Sequence, residues 1–170
     1  NPTPYVLPVA RRLVRHADYA VAAIDPPHHG DRATPEDAAA LSDARAFRDV
    51  VGAATERMIA DWHATTSELQ QLDEVGDGPL GYWGLSMGTM LGLPFVAATP
   101  AVRCAVLGLM GTFTDRDPWT VAAPTLRCPV LFLLQTDDEL VPPEGGFALF
   151  RALGSPDRRL HAHPGRHSAV

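Results

Sequence analysis

Lysine is absent from this chain, and all 14 of its basic residues are arginine. Set against 20 acidic residues they leave a net charge of −6. No basic run forms, which argues against nucleic acid or an anionic membrane as partner. With abundant Ala, Pro and Gly, the missing lysine reads as the coding bias of a GC-rich genome. Long apolar runs are missing too: none approaches the ~20 residues of a membrane span. Cysteine is scarce. Cys104 and Cys128 cannot build a disulfide scaffold. They open two similar segments, Arg-Cys-Ala-Val-Leu and Arg-Cys-Pro-Val-Leu. If those are neighbouring parallel strands the thiols lie side by side, and buried free thiols are expected. No signal peptide stands at Asn1, so the expected compartment is the cytoplasm. Repeats, linkers and low-complexity tracts are absent. What remains is a 170-residue chain, 46% hydrophobic and 20% charged, sufficient for one globular domain with its own core.

The most informative stretch runs from Gly81 to Thr89, Gly-Tyr-Trp-Gly-Leu-Ser-Met-Gly-Thr. It holds G-x-S-x-G at Gly84, Ser86 and Gly88. Leu80 to Leu85 is apolar and follows Gly78-Pro79, which predicts a short buried strand. Met87 to Thr99 predicts a helix. Ser86 therefore falls on a sharp strand-to-helix turn that demands small neighbours and projects the hydroxyl outward. The helix that follows aims free N–H groups and its positive dipole end at charge developing near Ser86.

Read in order, Tyr5 to Ala17 has helical spacing, with Arg11, Arg12 and Arg15 on the wet face. Tyr19 to Ile24 is a short apolar run and predicts a buried strand. The loop Asp25-Pro-Pro-His-His-Gly-Asp-Arg32 leaves its end. Thr34-Pro-Glu-Asp37 opens a short helix to residue 41. Ser42 to about Leu72 is helical, with Phe47, Val50, Val51, Ala54, Met58, Ile59 and Trp62 as its stripe, and Gly52 marks a break into two. Pro94 predicts a kink or break in the helix after Ser86. Strands are expected over Val102–Met110, Pro129–Gln135 and Arg159–His163. An irregular stretch, Gly111–Arg127, lies between the first two, and a helix over Pro143–Leu153 precedes the third. Helix and strand alternate, so the expected class is α/β, a mostly parallel sheet with helices on both faces.

Two further segments follow strand ends. Thr136-Asp-Asp-Glu-Leu-Val-Pro142 comes after Gln135, and Pro164-Gly-Arg-His167 comes after the last strand. Both fall on the sheet edge that presents Ser86, in the order Ser, Asp, His. This order, the G-x-S-x-G turn, D-x-x-V-P and P-G-x-H together resemble the α/β-hydrolase superfamily. The likeness is closest to its dienelactone-hydrolase and prolyl-oligopeptidase-like esterase branch, whose D-x-P-x-H-G-x-R segment is similar to Asp25–Arg32. The resemblance implies a serine hydrolase acting on a small-molecule carboxylic ester through an acyl-enzyme. Ser86 would be the nucleophile and His167 the base. Asp138, three before Val141 in the matching motif, is preferred over Asp137 as the acid, and the Met87 N–H would bind the oxyanion. No cofactor and no metal is expected. His28 and His29 read as loop residues. His161 and His163 alternate on one strand face without a third ligand. The stretch Gly111–Arg127, with Phe113 and Trp119, is expected to wall one side of the pocket.

Two other functions fit the same motifs: a serine peptidase of the prolyl-oligopeptidase-like type, and a non-catalytic hydrolase-fold binding module. The family pattern also has N-terminal strands before the first helix here, a His-Gly loop that supplies a second oxyanion donor, and a closing C-terminal helix. Residues 1–170 are thus expected to form a single but partial domain. A gap is expected between the Tyr19–Ile24 run and the Leu80–Leu85 strand, where one of those family strands would lie. The sequence does not fix an oligomeric state.

Overall fold

The computed structural model describes residues 6–40 and 43–169. Four strands form one sheet in the order β1-β2-β3-β4, all neighbours parallel: β1 Leu80–Leu85, β2 Val102–Gly108, β3 Val130–Gln135 and β4 Arg158–His163. Parallel neighbours need crossover connections, and helices supply them. α5 (Met87–Ala98) joins β1 to β2, α6 (Pro118–Ala122) lies between β2 and β3, and α7 (Pro143–Ala152) joins β3 to β4. Among the described residues, four α-helices precede the sheet: α1 Val6–Ala17, α2 Pro35–Ala40, α3 Ala44–Ala53 and α4 Thr55–Leu69. The expected α/β class and parallel sheet are what is found. The expected starts at Tyr5 and Ser42, and the end of the short helix at residue 41, lie outside the described residues.

The core gathers where α5 packs against β1 and β2. Thr89 to Val96 is buried throughout, together with Leu107, Phe132, Leu126 and Leu149. A helix apolar on every side suits such a sandwiched position. Trp62 of α4 stacks on Phe95 of α5 at 5.9 Å and meets Tyr82 of β1 edge-on at 6.2 Å. The predicted stripe thus faces inward, with Val51, Ala54 and Met58 buried. The break between α3 and α4 falls at Ala54, two residues past Gly52. One helix start is capped where the sequence suggests, at Thr34–Asp37, and a second cap, at Asp43, goes beyond the sequence expectation. Asp37 reaches back to the Thr34 N–H at 2.7 Å, and Asp43 accepts from Arg45 and Ala46 N–H at 2.9 Å.

Several expectations are corrected. Tyr19 to Ile24 is not a strand, and Tyr19 and Val21 are exposed. An apolar run becomes a strand only where a neighbour takes its backbone bonds, and among the described residues no strand lies beyond β1 to do so. α5 runs on through Pro94 without a break, its burial on all sides outweighing the one lost N–H bond. The Gly111–Arg127 stretch is partly regular, holding α6 and a 3₁₀ turn over Ala123–Thr125. Cys104 is exposed rather than buried, and Cys128 is half-buried, which with the Cys104 thiol nearby pushes its own thiol upward in pKa. Both thiols are free. No helix among the described residues is long and apolar enough to cross a membrane.

Leu107 lies fully buried on β2, between the strand that presents Ser86 and the strand that leads to Asp138. Leu107→Ala is expected to cost about 3 kcal/mol of unfolding free energy, the usual penalty for a cavity in a close-packed core. Urea denaturation followed by circular dichroism measures it.

Candidate active site

β1 ends at Leu85 and α5 begins at Met87, so Ser86 alone makes the turn. Its backbone sits at φ 55° and ψ −117°, a conformation non-glycine residues rarely adopt and one that stores about 1–3 kcal/mol. Such strain persists only where the surroundings over-determine it, and here they do. The Ser86 N–H donates to the Gly108 carbonyl at 2.9 Å, fastening the turn to β2. Thr89, wholly buried one helical turn later, places its hydroxyl 2.8 Å from the Gly84 carbonyl and 2.7 Å from the Gly108 carbonyl. The same oxygen accepts the Gly108 N–H at 2.8 Å. The Tyr82 hydroxyl donates to the Gly88 carbonyl at 2.8 Å. Gly84 is needed for space: a Cβ there would come within 2.6 Å of the Gly88 carbonyl oxygen.

The loop that carries Asp138 follows β3. Asp138 is held by its own turn, Oδ1 accepting from the Leu140 and Val141 N–H groups at 2.8 and 2.9 Å. Its second oxygen lies 2.7 Å from His167 Nδ1, and only 2% of the Asp138 side chain is exposed. On the far side of the ring, His167 Nε2 lies 2.8 Å from Ser86 Oγ. The structure thus brings Ser86, His167 and Asp138 into one hydrogen-bonded line. Asp137, the alternative, is exposed and uses its N–H to bond the Gly165 carbonyl at 3.2 Å. Met87 is the first residue of α5, so its N–H belongs to the helix start beside Ser86 Oγ.

Other groups named from the sequence stand elsewhere. Asp25 Oδ2 accepts the Asp31 N–H at 2.9 Å, and Gly30, at φ +57°, leaves no room for a Cβ beside that carboxylate. Arg32 completes the loop, bonding the Asp25 carbonyl and Asp61 of α4. His28 pairs with Asp37 at 2.8 Å, and His29 meets Phe47 edge-on. The D-x-P-x-H-G-x-R segment therefore folds into a self-bonded turn docked on α4. His161 and His163 do share a face, rings 6.2 Å apart. No group of three His, Cys, Asp or Glu side chains suited to a metal forms among the described residues. Trp119 is a core residue and not a pocket wall: it is 1% exposed, and its Nε1 donates to the Gly111 carbonyl at 3.0 Å. The indole N–H thereby pins the start of the loop, while Phe113 lies under the Arg48 guanidinium at 4.4 Å.

Sequence reasoning missed Glu139. Its Oε2 accepts the backbone N–H of His167 at 3.0 Å, with Arg166 Nε 3.5 Å away. The His167 N–H, chiefly, holds the Glu139 carboxyl below the usual carboxylate range, with Arg166 adding to the effect. A lowered carboxyl stays ionised at neutral pH, and this bond weakens only as pH falls through the lowered value. The adjacency Asp-Glu in the sequence is the one available signal, and it does not say what the second carboxylate bonds.

No protein-family model matches the chain, and no curated protein matches it. Solved structures do. A cold-adapted esterase from an Arctic intertidal metagenomic library, in its polyethylene-glycol-bound form, is 40% identical over 99% of this chain and 70% of its own, with a TM-score of 0.81. A zinc-bound structure of a cold-adapted esterase from an Arctic intertidal metagenomic library is 44% identical over 75% of this chain, TM-score 0.66, and there the match spans 56% of the esterase chain. Acetyl xylan esterase 1 from Thermoanaerobacterium sp. JW/SL YS485 is 18% identical over 66% of this chain and 47% of its own, TM-score 0.53, a likeness of fold. The chain thus spans between about half and 70% of these relatives' lengths.

Thr89→Val keeps the shape and removes the hydroxyl. It leaves the buried Gly108 N–H without this acceptor and is expected to cost about 1–3 kcal/mol. Thr89→Ser is expected to recover most of that loss in the same denaturation experiment.

Proposed function

The chain belongs to the α/β-hydrolase superfamily, and we propose that within it the protein is a serine hydrolase of carboxylic esters, with Ser86, His167 and Asp138 as its catalytic residues. The observation that carries this reading is the unbroken line from Ser86 Oγ through the imidazole to Asp138, at 2.8 and 2.7 Å. The esterase relative, at 40% identity, supports an ester as the substrate class.

A serine hydroxyl is a poor nucleophile until a base takes its proton. His167 Nε2 accepts that proton as Oγ attacks the acyl carbon and the carbonyl electrons move to oxygen. Asp138 accepts from Nδ1, which fixes the tautomer that leaves Nε2 free, and its charge stabilises the imidazolium that forms. The developing oxyanion meets the Met87 N–H and the N-terminal dipole of α5. Collapse of the tetrahedral intermediate breaks the ester C–O bond. The imidazolium returns the proton to the leaving alkoxide, and the alcohol departs. Water then repeats the sequence on the acyl-enzyme, with His167 as base again, and releases the carboxylic acid and free Ser86. No cofactor enters any of these steps.

Burial serves the chemistry unevenly. Asp138 is nearly sealed from water, where its interaction with the imidazolium is strongest. Ser86 and His167 are only half-buried, as groups that must meet substrate need to be.

Ser86→Ala is expected to lower kcat on an aryl ester by at least about 10⁴-fold while the protein stays folded. Asp138→Asn is expected to lower it by about 10⁴-fold, because the amide favours the wrong imidazole tautomer. Retained turnover in Ser86→Ala would refute the assignment. Faster cleavage of an aminoacyl amide than of the matched ester would point to a peptidase instead.

A further inference from the structure

His167 sits in the least enclosed part of the fold. β4 is exposed along most of its length, and so are most of the residues that follow it. Apolar packing therefore does little to fix the segment that carries the imidazole. Hydrogen bonds fix it instead, and residues 135–139 supply them. Thr136 N–H donates to the His163 carbonyl at 2.8 Å, and Asp137 N–H to the Gly165 carbonyl at 3.2 Å. Gln135 Nε2 donates to the Ala169 carbonyl at 3.0 Å. Glu139 accepts the N–H of His167 itself.

The first two bonds are backbone to backbone and survive almost any substitution. Of the two made by side chains, Gln135 grips the segment two residues beyond the imidazole, whereas Glu139 grips the histidine's own backbone. Asp138 bonds that same histidine at Nδ1. The ring is bonded at both nitrogens, to Asp138 and to Ser86, and both bonds lose their alignment whenever the exposed backbone that carries it shifts. A further bond to the backbone nitrogen, from Glu139, opposes that shift. Arg166, next to His167 in sequence, lies 3.5 Å from the same carboxylate oxygen.

Resting on the serine-hydrolase reading above, we propose that Glu139 is a positioning residue: its carboxylate clamps the backbone of His167 so that the imidazole stays aligned between Asp138 and Ser86. Glu139 touches neither the ester nor any transferred proton. It acts by keeping Nε2 within reach of Oγ, and small errors in that placement are costly because proton transfer and attack must coincide.

The test uses the purified full-length protein and an aryl acetate, with kcat and KM measured separately. Glu139→Ala is expected to lower kcat by about ten-fold with KM unchanged, as misalignment of a base that does not bind substrate should. Glu139→Gln keeps an oxygen that accepts the N–H and is expected to restore most of kcat. The labelling rate of Ser86 by a fluorophosphonate is expected to fall in parallel with kcat. An unchanged kcat in Glu139→Ala would overturn the proposal. So would a loss in Glu139→Gln equal to that in Glu139→Ala, since charge and not the hydrogen bond would then matter. Melting temperatures of all variants separate misfolding from misalignment. Should Glu139→Ala fail to fold, Glu139→Gln still decides: kcat near that of the unsubstituted protein supports the clamp, and a ten-fold loss overturns it. If Ser86→Ala also keeps full turnover, the serine-hydrolase reading has failed. If Ser86→Ala is inactive and Glu139→Ala is not, only the clamp has.

Discussion

The 2.8 Å contact between His167 Nε2 and Ser86 Oγ joins residues 81 apart in sequence, and the arrangement of the sheet is what makes it possible. All four strands run the same way, so every loop leaving a strand's C-terminal end emerges on one edge. Ser86 leaves β1, Asp138 follows β3 and His167 follows β4. Two strands separate the serine from the end that carries the histidine. The register of β1 on β2, β2 on β3 and β3 on β4 therefore sets whether the three groups meet. A slip of one residue in any pairing would move one of them by more than about 3 Å, beyond the range of a hydrogen bond.

The two ends of that contact are built differently. Ser86 rests on the best-packed part of the molecule. Its strain is opposed by a buried threonine, a tyrosine hydroxyl and the close approach of backbone at Gly84, and the helix behind it is buried through Thr89–Val96. Under the proposed function, such rigidity suits a serine whose hydroxyl must hold one direction. His167 rests on an exposed edge strand and is placed almost wholly by polar contacts from the loop after β3. The backbone around it is exposed, yet the imidazole itself is only 14% exposed, held at both nitrogens by Asp138 and Ser86. The loop after β3 accordingly meets this segment twice, at the ring through Asp138 and at the backbone through its neighbours.

Much of this is legible in the sequence, for local reasons. The elbow is readable because Gly84, Ser86 and Gly88 lie between an apolar run and a helix, and the structure shows the backbone that Gly84 makes room for. The break near Gly52, the caps at Thr34–Asp37 and the strands around Gln135 and His163 likewise follow from short-range chemistry. The failures are equally physical. Tyr19–Ile24 has the composition of a strand, but pairing is a property of neighbours and not of the run itself. Trp119 reads as a pocket wall because large aromatics are common there, and its burial depends on α5 packing over it. Cys104 reads as buried because it opens an apolar segment, yet it and Arg103 form an exposed pair where the pairing of β2 with β1 shifts register. Glu139 is invisible because its partner is a backbone N–H 28 residues away, which no side-chain pattern encodes.

The central claim is that Ser86 is activated by His167. Exposure of the full-length protein to a fluorophosphonate, followed by intact and peptide mass spectrometry, tests it directly. The account predicts one covalent adduct, located on Ser86, and none when His167 is replaced by alanine. A folded protein that takes up no label, or that labels equally well without His167, would contradict it.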